Sequence, residues 1–283
     1  MKKTLFLSDL DGTLLNGSAE LSEYSTSALN QMIRCGVHFS IATARTLASS
    51  SKILAGLSLR MPIVLMNGAL IYDVERRCYN RINLLASKTV AAVIETLRQF
   101  EITGFMYAMN DGELTTYHES LEQKPLRDFV EERIAKYYKS FQHTNGFDHV
   151  SPESIVYFTL LDTYERLMPV RDVLIMQSKL KLTMYEDSYR PGFWYLEIFS
   201  NQASKQNAVE YMREAHSFER IVGFGDNYND LPLFAACDVR VAVKNAKPEI
   251  KAAAEFVCDS NDNDGVVKWM EGHMLSESWE ICP

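Results

Sequence analysis

Short apolar runs alternate with longer segments of mixed polarity over the first eighty residues of the chain. The runs "KTLFLSD" and "VHFSIAT" are typical of buried β-strands, and "PIVLMNGALIYD" predicts a third strand that leads into a turn. The segments "SEYSTSALNQMIRCG" and "TLASSSKILAGLSL" lie between them and carry apolar residues near helical spacing. Strands that alternate with helices in this way predict βαβ units and a parallel sheet.

The pattern changes in the middle of the chain. "ITGFMYAM" and "GELTTYH" flank "NDG", which is a strong signal for a β-hairpin, and helical segments and further strands follow. The last ninety residues return to the alternation of strand and helix. We therefore predict an α/β protein with a doubly wound, mostly parallel Rossmann-like sheet core and an inserted α+β cap domain. The core would comprise residues 1–83 and 193–283 and the cap residues 84–192, with a hinge in "SYRPGFW".

Charge and cysteine usage narrow the classes of partner. The chain has 283 residues and a formal net charge of −8, which argues against nucleic acid or an anionic membrane as the main partner. Its five cysteines are scattered without a CxxC pair, and no apolar run approaches the roughly 20 residues of a membrane span. We expect a cytoplasmic protein that acts on a small molecule, and the oligomeric state stays open.

Polar residues follow four of the predicted strands at their carboxyl ends. They are Asp9 and Asp11 in "SDLDGTLL", Thr43 in "IATAR", Asn67 and Gly68 in "LMNGA", and Asp226, Asn229 and Asp230 in "GDNYND". Taken singly, each is as readily a turn or cap residue. Ligands of open parallel sheets bind where the strands end, so we expect the fold to bring Asp9 and Asp226 together.

Several carboxylates in one place repel one another unless a cation lies among them. Ligation by oxygen atoms from few carboxylates suits Mg²⁺, which also shares the phosphate oxygens of a substrate. A lysine at a strand-to-helix loop, Lys205, would add a second positive charge. Such a cradle suits phosphoryl transfer, with Asp9 as the nucleophile and Asp11 as the general acid and base.

These motifs resemble those of the haloacid dehalogenase superfamily, and within it the Cof-type (subclass IIB) phosphatases. The resemblance rests on "DLDGTLL", Thr43, Lys205, "GDNYND" and the tail "VAVKNAKPEIKAAAEFVCDSNDNDGVV", and covers essentially the whole core. One departure is the stretch "NQASKQN", which lacks the glycines that the family often has near this lysine. We expect Ser204 to cap the helix there instead.

The resemblance implies a role for each matching residue. Asp9, Asp11 and Asp226 would bind Mg²⁺, Asp11 through its backbone carbonyl, and Asp230 would support the metal shell or Lys205. Thr43, Lys205 and Asn229 would hold the phosphoryl group, and Asn67 and Gly68 would line the same mouth. The implied activity is hydrolysis of a small phosphorylated metabolite, a sugar phosphate or a phosphorylated cofactor. A phosphohexomutase and a non-catalytic sensor of a phosphorylated metabolite remain as alternatives.

Overall fold

The structure is a computed structural model that describes residues 2–187 and 190–276. Its strands are β1 (Thr4–Ser8), β2 (His38–Ile41), β3 (Ile63–Leu65), β4 (Leu70–Asp73), β5 (Cys78–Ile82), β6 (Gly104–Asn110), β7 (Glu113–His118), β8 (Gln142–His143), β9 (Ile155–Thr163), β10 (Leu180–Glu186), β11 (Phe193–Ser200), β12 (Arg220–Gly225), β13 (Val239–Val243) and β14 (Phe256–Cys258). Its α-helices are α1 (Glu23–Arg34), α2 (Leu47–Leu54), α3 (Ser87–Gln99), α4 (Lys124–Tyr137), α5 (Tyr164–Leu174), α6 (Lys205–His216), α7 (Leu231–Ala236), α8 (Pro248–Ala253) and α9 (Gly265–Ser276).

The chain divides into two compact units. Ile82–Ala203 forms the second unit, and the residues before and after it form the first. The first unit contains a five-stranded parallel sheet in the order β14–β13–β12–β1–β2. The predicted α/β class with a parallel core sheet is confirmed.

Strand β1 lies in the middle of this sheet and is buried along its whole length. Ser8, its last residue, lies opposite Phe224 on β12 and Ile41 on β2, so that the three strands end at one level. A strand that is covered on both faces needs a continuous apolar run, which "TLFL" supplies. The residues that directly follow β1 and β12 therefore lie side by side.

The predicted third strand is shorter than expected. Strand β3 is joined by the parallel bridge between Val64 and Ala42 to the segment that follows β2, and it ends in a turn at Met66–Gly68. The chain then reverses, so that β3, β4 and β5 form a separate three-stranded sheet with β3 antiparallel to β4. The turn at Asn67 and Gly68 is where the sequence predicts one.

The second unit contains a six-stranded, mainly antiparallel sheet in the order β10–β11–β9–β6–β7–β8. Its β6–β7 hairpin turns at Asp111 and Gly112, both with positive φ (48° and 83°), as the "NDG" signal predicts. Helices α3 and α5 pack on one face of this sheet, which carries Met106, Phe158 and Leu196.

The boundary expected at residues 192 and 193 differs from the one in the structure. A boundary after residue 192 would place strand β11 in the core, but β11 pairs with β9 and β10 in the sheet of the second unit. The chain returns to the first unit after Ala203, so "SYRPGFW" connects two strands of one sheet. A central strand is apolar in any sheet, so its composition does not reveal which sheet it joins. Ser188 and Tyr189 of the expected hinge lie outside the described residues.

Among the described helices, none has the length and apolar character that a membrane span requires.

Candidate active site

Asp9 directly follows β1 and extends the ladder with β12 by one residue. Its backbone N–H donates to the carbonyl of Phe224 at 3.0 Å, and the residue is only 4% exposed. The hydrogen bond orients the residue as though it belonged to the strand, and the chain then turns away at Leu10–Leu14. A carboxylate is therefore held inside the unit at the carboxyl end of the central strand.

Asp226 follows the neighbouring strand, and the rest of the "DLDGT" motif fits against it. The Thr13 hydroxyl donates to Asp226 Oδ1 at 2.9 Å. A Cβ on Gly12 would lie 2.6 Å from Asp226 Oδ2, and Gly12 has a φ of +77°. Glycine alone adopts this positive φ readily and also leaves room for the Asp226 carboxylate, which a Cβ would displace. Gly12 and Thr13 were not singled out from the sequence, although they stand inside the motif that was.

Lys205 connects two of the buried carboxylates. Its Nζ lies 2.5 Å from Asp9 Oδ1 and 2.6 Å from Asp230 Oδ1, and both Lys205 and Asp230 are almost completely buried. Lys205 is the first residue of α6, and the Ser204 hydroxyl caps this helix by accepting from the backbone N–H of Asn207 at 2.9 Å. The cap expected from the sequence is present.

Asp230 shapes the loop as well as binding the lysine. Its Oδ2 accepts hydrogen bonds from the backbone N–H groups of Asp226, at 3.0 Å, and Asn227, at 3.1 Å. Because Oδ1 is paired with Lys205, both oxygens of Asp230 are engaged. This agrees with a supporting position for Asp230. Asn229 lies half-buried in the turn Tyr228–Asp230, and no described contact joins its side chain to these groups.

The proximity of the carboxylates raises the pKa values of Asp9 and Asp226. Burial and the neighbouring charges of Asp230 and Asp226 raise the pKa of Asp9, and the Lys205 ammonium offsets part of this rise. Burial and Asp230 likewise raise the pKa of Asp226 to about 6. Burial alone would lower the pKa of Lys205, but the carboxylates of Asp230 and Asp9 outweigh it and the pKa is raised.

Carboxylate oxygens of Asp9, Asp226 and Asp230 all lie within 4.8 Å of one another. Lys205 and two backbone N–H groups already occupy both oxygens of Asp230. The side chains suited to binding a cation are therefore those of Asp9 and Asp226. A cation among oxygen atoms would also relieve the repulsion that raises their pKa values. The donor set fits Mg²⁺, a hard cation that few carboxylates bind together with water and phosphate oxygens.

Thr43 and Asn67 are joined through the backbone. The Asn67 N–H donates to the Thr43 carbonyl at 3.0 Å, and the Thr43 N–H donates to Val64 at 2.9 Å. Both residues are buried, and Asn67 has a φ of +54°. Gly68 has another function: a Cβ there would lie 2.2 Å from the Ser204 carbonyl oxygen. The glycine thus allows the chain just before Lys205 to pass close by.

The Asp11 side chain pairs with Arg45. Arg45 Nε donates to Asp11 Oδ2 at 2.8 Å, and Arg45 Nη2 donates to Asp11 Oδ1 at 2.6 Å. The Asp11 side chain is 51% exposed, in contrast to the buried Asp9. Arg45 stands two residues after Thr43, in the strand-end segment "IATAR". The sequence shows that Arg45 follows a strand end, but it does not show that Arg45 pairs with Asp11.

The tail of the chain holds the loop that follows β1. Asn245 Nδ2 donates to the Gly12 carbonyl at 2.7 Å, and Asn261 Nδ2 donates to the Leu15 carbonyl at 2.8 Å. Asn245 Oδ1 in turn accepts from the Asn261 N–H at 3.0 Å. Both asparagines lie in the tail that resembles the Cof-type ending. Their contacts give that ending a physical role, which is to fix the loop that carries Asp11.

Comparison with known proteins identifies a family for this chain. The family model for haloacid dehalogenase-like hydrolases matches residues 6–270. The chain is 27% identical to the putative phosphatase YxeH of Bacillus subtilis, over 91% of this chain and 93% of that protein. It is 26% identical to the 5-amino-6-(5-phospho-D-ribitylamino)uracil phosphatase YwtE of the same organism, over 93% and 95% of the two chains. It is 24% identical to the pyridoxal phosphate phosphatase YbhA of Escherichia coli, over 94% and 97%.

Solved structures show the same fold. A haloacid dehalogenase-like hydrolase from Bacteroides thetaiotaomicron superposes with a TM-score of 0.80 and 23% identity, over 96% of this chain and 100% of that one. The family model spans both parts of the parallel-sheet unit and the inserted unit between them. The chain therefore belongs to the haloacid dehalogenase-like hydrolases.

Proposed function

We propose that this protein is a Mg²⁺-dependent phosphatase that hydrolyses a small phosphorylated metabolite through an aspartyl-phosphate at Asp9. The observation that carries the proposal is the placement of Asp9. It lies buried at a strand end, 2.5 Å from the Lys205 ammonium and close to Asp226. The names of the curated relatives, which are phosphatases, support the same reaction class.

The chain's own residues account for the first half-reaction. Lys205 engages Oδ1 of Asp9, so Oδ2 is the atom that attacks phosphorus. A bond forms between Asp9 and phosphorus while the ester P–O bond breaks, and Asp11 gives its proton to the leaving oxygen. Bound Mg²⁺ would neutralise charge on the phosphoryl oxygens. Thr43 and Lys205 would donate hydrogen bonds to the same oxygens.

The second half-reaction returns the enzyme to its starting state. Asp11, now ionised, takes a proton from water, and the resulting oxygen attacks phosphorus. The bond between Asp9 and phosphorus breaks, which frees the carboxylate and inorganic phosphate. Arg45 contributes by orientation, because its two hydrogen bonds hold the half-exposed Asp11 carboxyl in one direction.

The arginines of the second unit favour a phosphatase over a mutase. A mutase needs cationic groups that hold the second phosphate of a bisphosphate. Five arginines of the second unit make contacts within that unit: Arg127 with Leu121 and Glu122, Arg133 with Phe129, Arg166 with Asp162, Arg171 with Asp172, and Arg190 with Asp187 and Glu132.

The substrate class is a small phosphomonoester. Two of the relatives are named for phosphorylated compounds with a heterocyclic ring, a ribitylaminouracil phosphate and pyridoxal phosphate. Sugar phosphates and phosphorylated cofactors with such rings are therefore the first compounds to test.

Phosphate release from a panel of phosphorylated metabolites in the presence of Mg²⁺ tests the proposal. We expect turnover by the wild type, none by Asp9→Asn, and reversible loss with a chelator. Full activity of Asp9→Asn would overturn the assignment of the nucleophile. Isomerisation of a hexose phosphate without net release would indicate the mutase, and tight binding without turnover would indicate a sensor.

A further inference from the structure

The sheet of the second unit has two unlike faces. Helices α3 and α5 cover the face that carries Met106 and Phe158 with apolar side chains. The opposite face carries Phe105 and Tyr107, and Phe129 of α4 stacks on Phe105 with ring centroids 4.5 Å apart. We call it the Tyr107 face. It buries polar and charged groups that the proposed reaction does not use.

Lys139 is the least expected of these groups. It follows the left-handed residue Tyr138 that ends α4, and only 8% of it is exposed. Its ammonium lies 4.6 Å from the ring centroid of Tyr107 and 4.9 Å from that of Phe141. Within residues 2–187 and 190–276, no side chain or carbonyl forms an ion pair or hydrogen bond with this ammonium. Ring faces attract a cation, but they do not replace the hydrogen bonds that an ammonium loses on burial.

Thr116 places a second polar group on the same face. It lies directly opposite Tyr107 in the β6–β7 ladder, so both side chains project to one side of the sheet. Thr116 is 1% exposed, and its hydroxyl oxygen has no hydrogen-bond partner in the described part of the chain. Buried hydroxyl groups are nearly always hydrogen-bonded in native proteins, so the Thr116 hydroxyl group is a donor that a ligand at this face could use.

A second cation, Arg133, lies near Lys139. The Arg133 guanidinium packs on the Phe129 ring at 3.4 Å, and burial together with this neighbouring charge lowers the pKa of Lys139 to about 7. The acidic group nearest to Arg133, Glu132, also pairs with Arg190. An incoming anion would thus meet two cations and the Thr116 hydroxyl group, while the buried Glu197 carboxyl group also acts on Tyr107.

We propose that Lys139 and Thr116 form a binding site for one oxyanion, the carboxylate or phosphate oxygens of a small molecule. The ammonium supplies charge and hydrogen bonds, the Thr116 hydroxyl supplies a further donor, and the rings of Tyr107 and Phe141 form apolar walls. The oxyanion belongs to a small anion that binds within the second unit. The site itself does not depend on the proposed phosphatase activity.

Direct binding tests the site. Benzoate and acetate are the probes, with benzyl alcohol as the neutral control, and calorimetry on the full-length protein measures affinity. We expect Lys139→Met to weaken benzoate binding about tenfold or more, and Thr116→Val to weaken it by roughly threefold to tenfold. The matched control Lys136→Met removes an exposed lysine from the last turn of α4 and should bind as the wild type does. Thermal unfolding checks that each variant is folded.

Hydrolysis is a separate measurement. Because the anion is not the reacting substrate, Lys139→Met should weaken benzoate binding and leave KM for phenyl phosphate unchanged. The site is overturned if the wild type binds neither probe, or if Lys139→Met binds benzoate as tightly as the wild type. Binding without hydrolysis of any ester would retain the site and refute the phosphatase.

Discussion

Arg45 binds both carboxylate oxygens of Asp11, at 2.8 Å through Nε and 2.6 Å through Nη2. Its backbone N–H also donates to the Thr43 hydroxyl oxygen at 3.1 Å. The arginine thus connects the loop after β1 to the loop after β2. A half-exposed carboxyl group without such a partner would sample several orientations, and only some would reach a leaving oxygen.

Replacement of Arg45 should therefore impair protonation of the leaving group. We expect Arg45→Met to lower kcat/KM, which reports only the steps up to departure of the leaving group, by about ten- to a hundredfold for an alkyl phosphate, because the general acid is less well placed. The loss should be small for p-nitrophenyl phosphate, whose leaving oxygen needs no proton. Steady-state kinetics on both esters measure this, with Arg76→Met at an exposed site as the control. Equal losses on both esters would contradict a role in orienting the acid.

Lys205 should be essential for stability as well as for turnover. Lys205→Met would leave Asp9 and Asp230 buried without their cation, and breaking such a buried pair costs about 3–5 kcal/mol. Urea unfolding of the metal-free protein measures the loss. Lys244→Met is the control, because this exposed lysine lies 4.0 Å from Asp259 and its removal should cost at most about 1 kcal/mol. Equal stability of the two variants would refute the buried network.

Gly68 should be required for stability because the Ser204 backbone lies against it. In Gly68→Ala the new Cβ would collide with the Ser204 backbone, and the φ of +94° adds strain. We expect a loss of roughly 3 kcal/mol or more, together with reduced activity because Lys205 is displaced. Gly36→Ala is matched in φ, at +88°, but has nothing within 4 Å of the new Cβ. That variant should lose only about 1–2 kcal/mol. Similar losses would show that the contact with Ser204 is unimportant.

Glu197 should make the stability of the protein depend on pH. It accepts hydrogen bonds from Tyr157 at 2.8 Å and Tyr185 at 3.0 Å, and burial raises its pKa from 4.5 to about 7. Between these two values the folded state binds more protons than the unfolded state, so the contribution of Glu197 to stability falls as pH rises from 4.5 to 7. Above pH 7 no further change is expected from this group.

The variant Glu197→Gln isolates this effect. Relative to the wild type, its free energy of unfolding should rise by up to about 3 kcal/mol between pH 5 and pH 8, because the amide cannot ionise. Urea unfolding at several pH values measures the difference between the two proteins. A difference that is constant over this range would mean that Glu197 has an ordinary pKa in the folded state.

Much of the first unit was predictable because its signals are local. The run "TLFL" predicts a buried strand from composition alone, and Asp9 follows it in the chain. Once parallel strands are inferred, their carboxyl ends share an edge, which brings Asp9 near Asp226 across more than two hundred residues. The turn at Asn67 and the cap at Ser204 are also local, since each depends on a few adjacent residues.

The contacts that the sequence did not reveal are those between residues distant in the chain. Arg45 could have paired with any nearby carboxylate, and only the placement of two loops selects Asp11. The resemblance implied that Asp230 supports the metal shell or Lys205, but the sequence did not show that the Lys205 ammonium lies between Asp9 and Asp230. Such pairings depend on how separate elements are placed relative to one another, to within a few tenths of an ångström.

By itself the sequence determined the α/β class, the acidic strand ends and the chemistry that they suit, because composition and period act over neighbouring residues. Only the tertiary structure decided that β11 belongs to the second sheet, that Gly68 makes room for Ser204, and that Lys139 is buried against Tyr107. In each case hydrogen bonding or packing with a distant segment sets the environment of the residue. The residue type alone is compatible with several such environments.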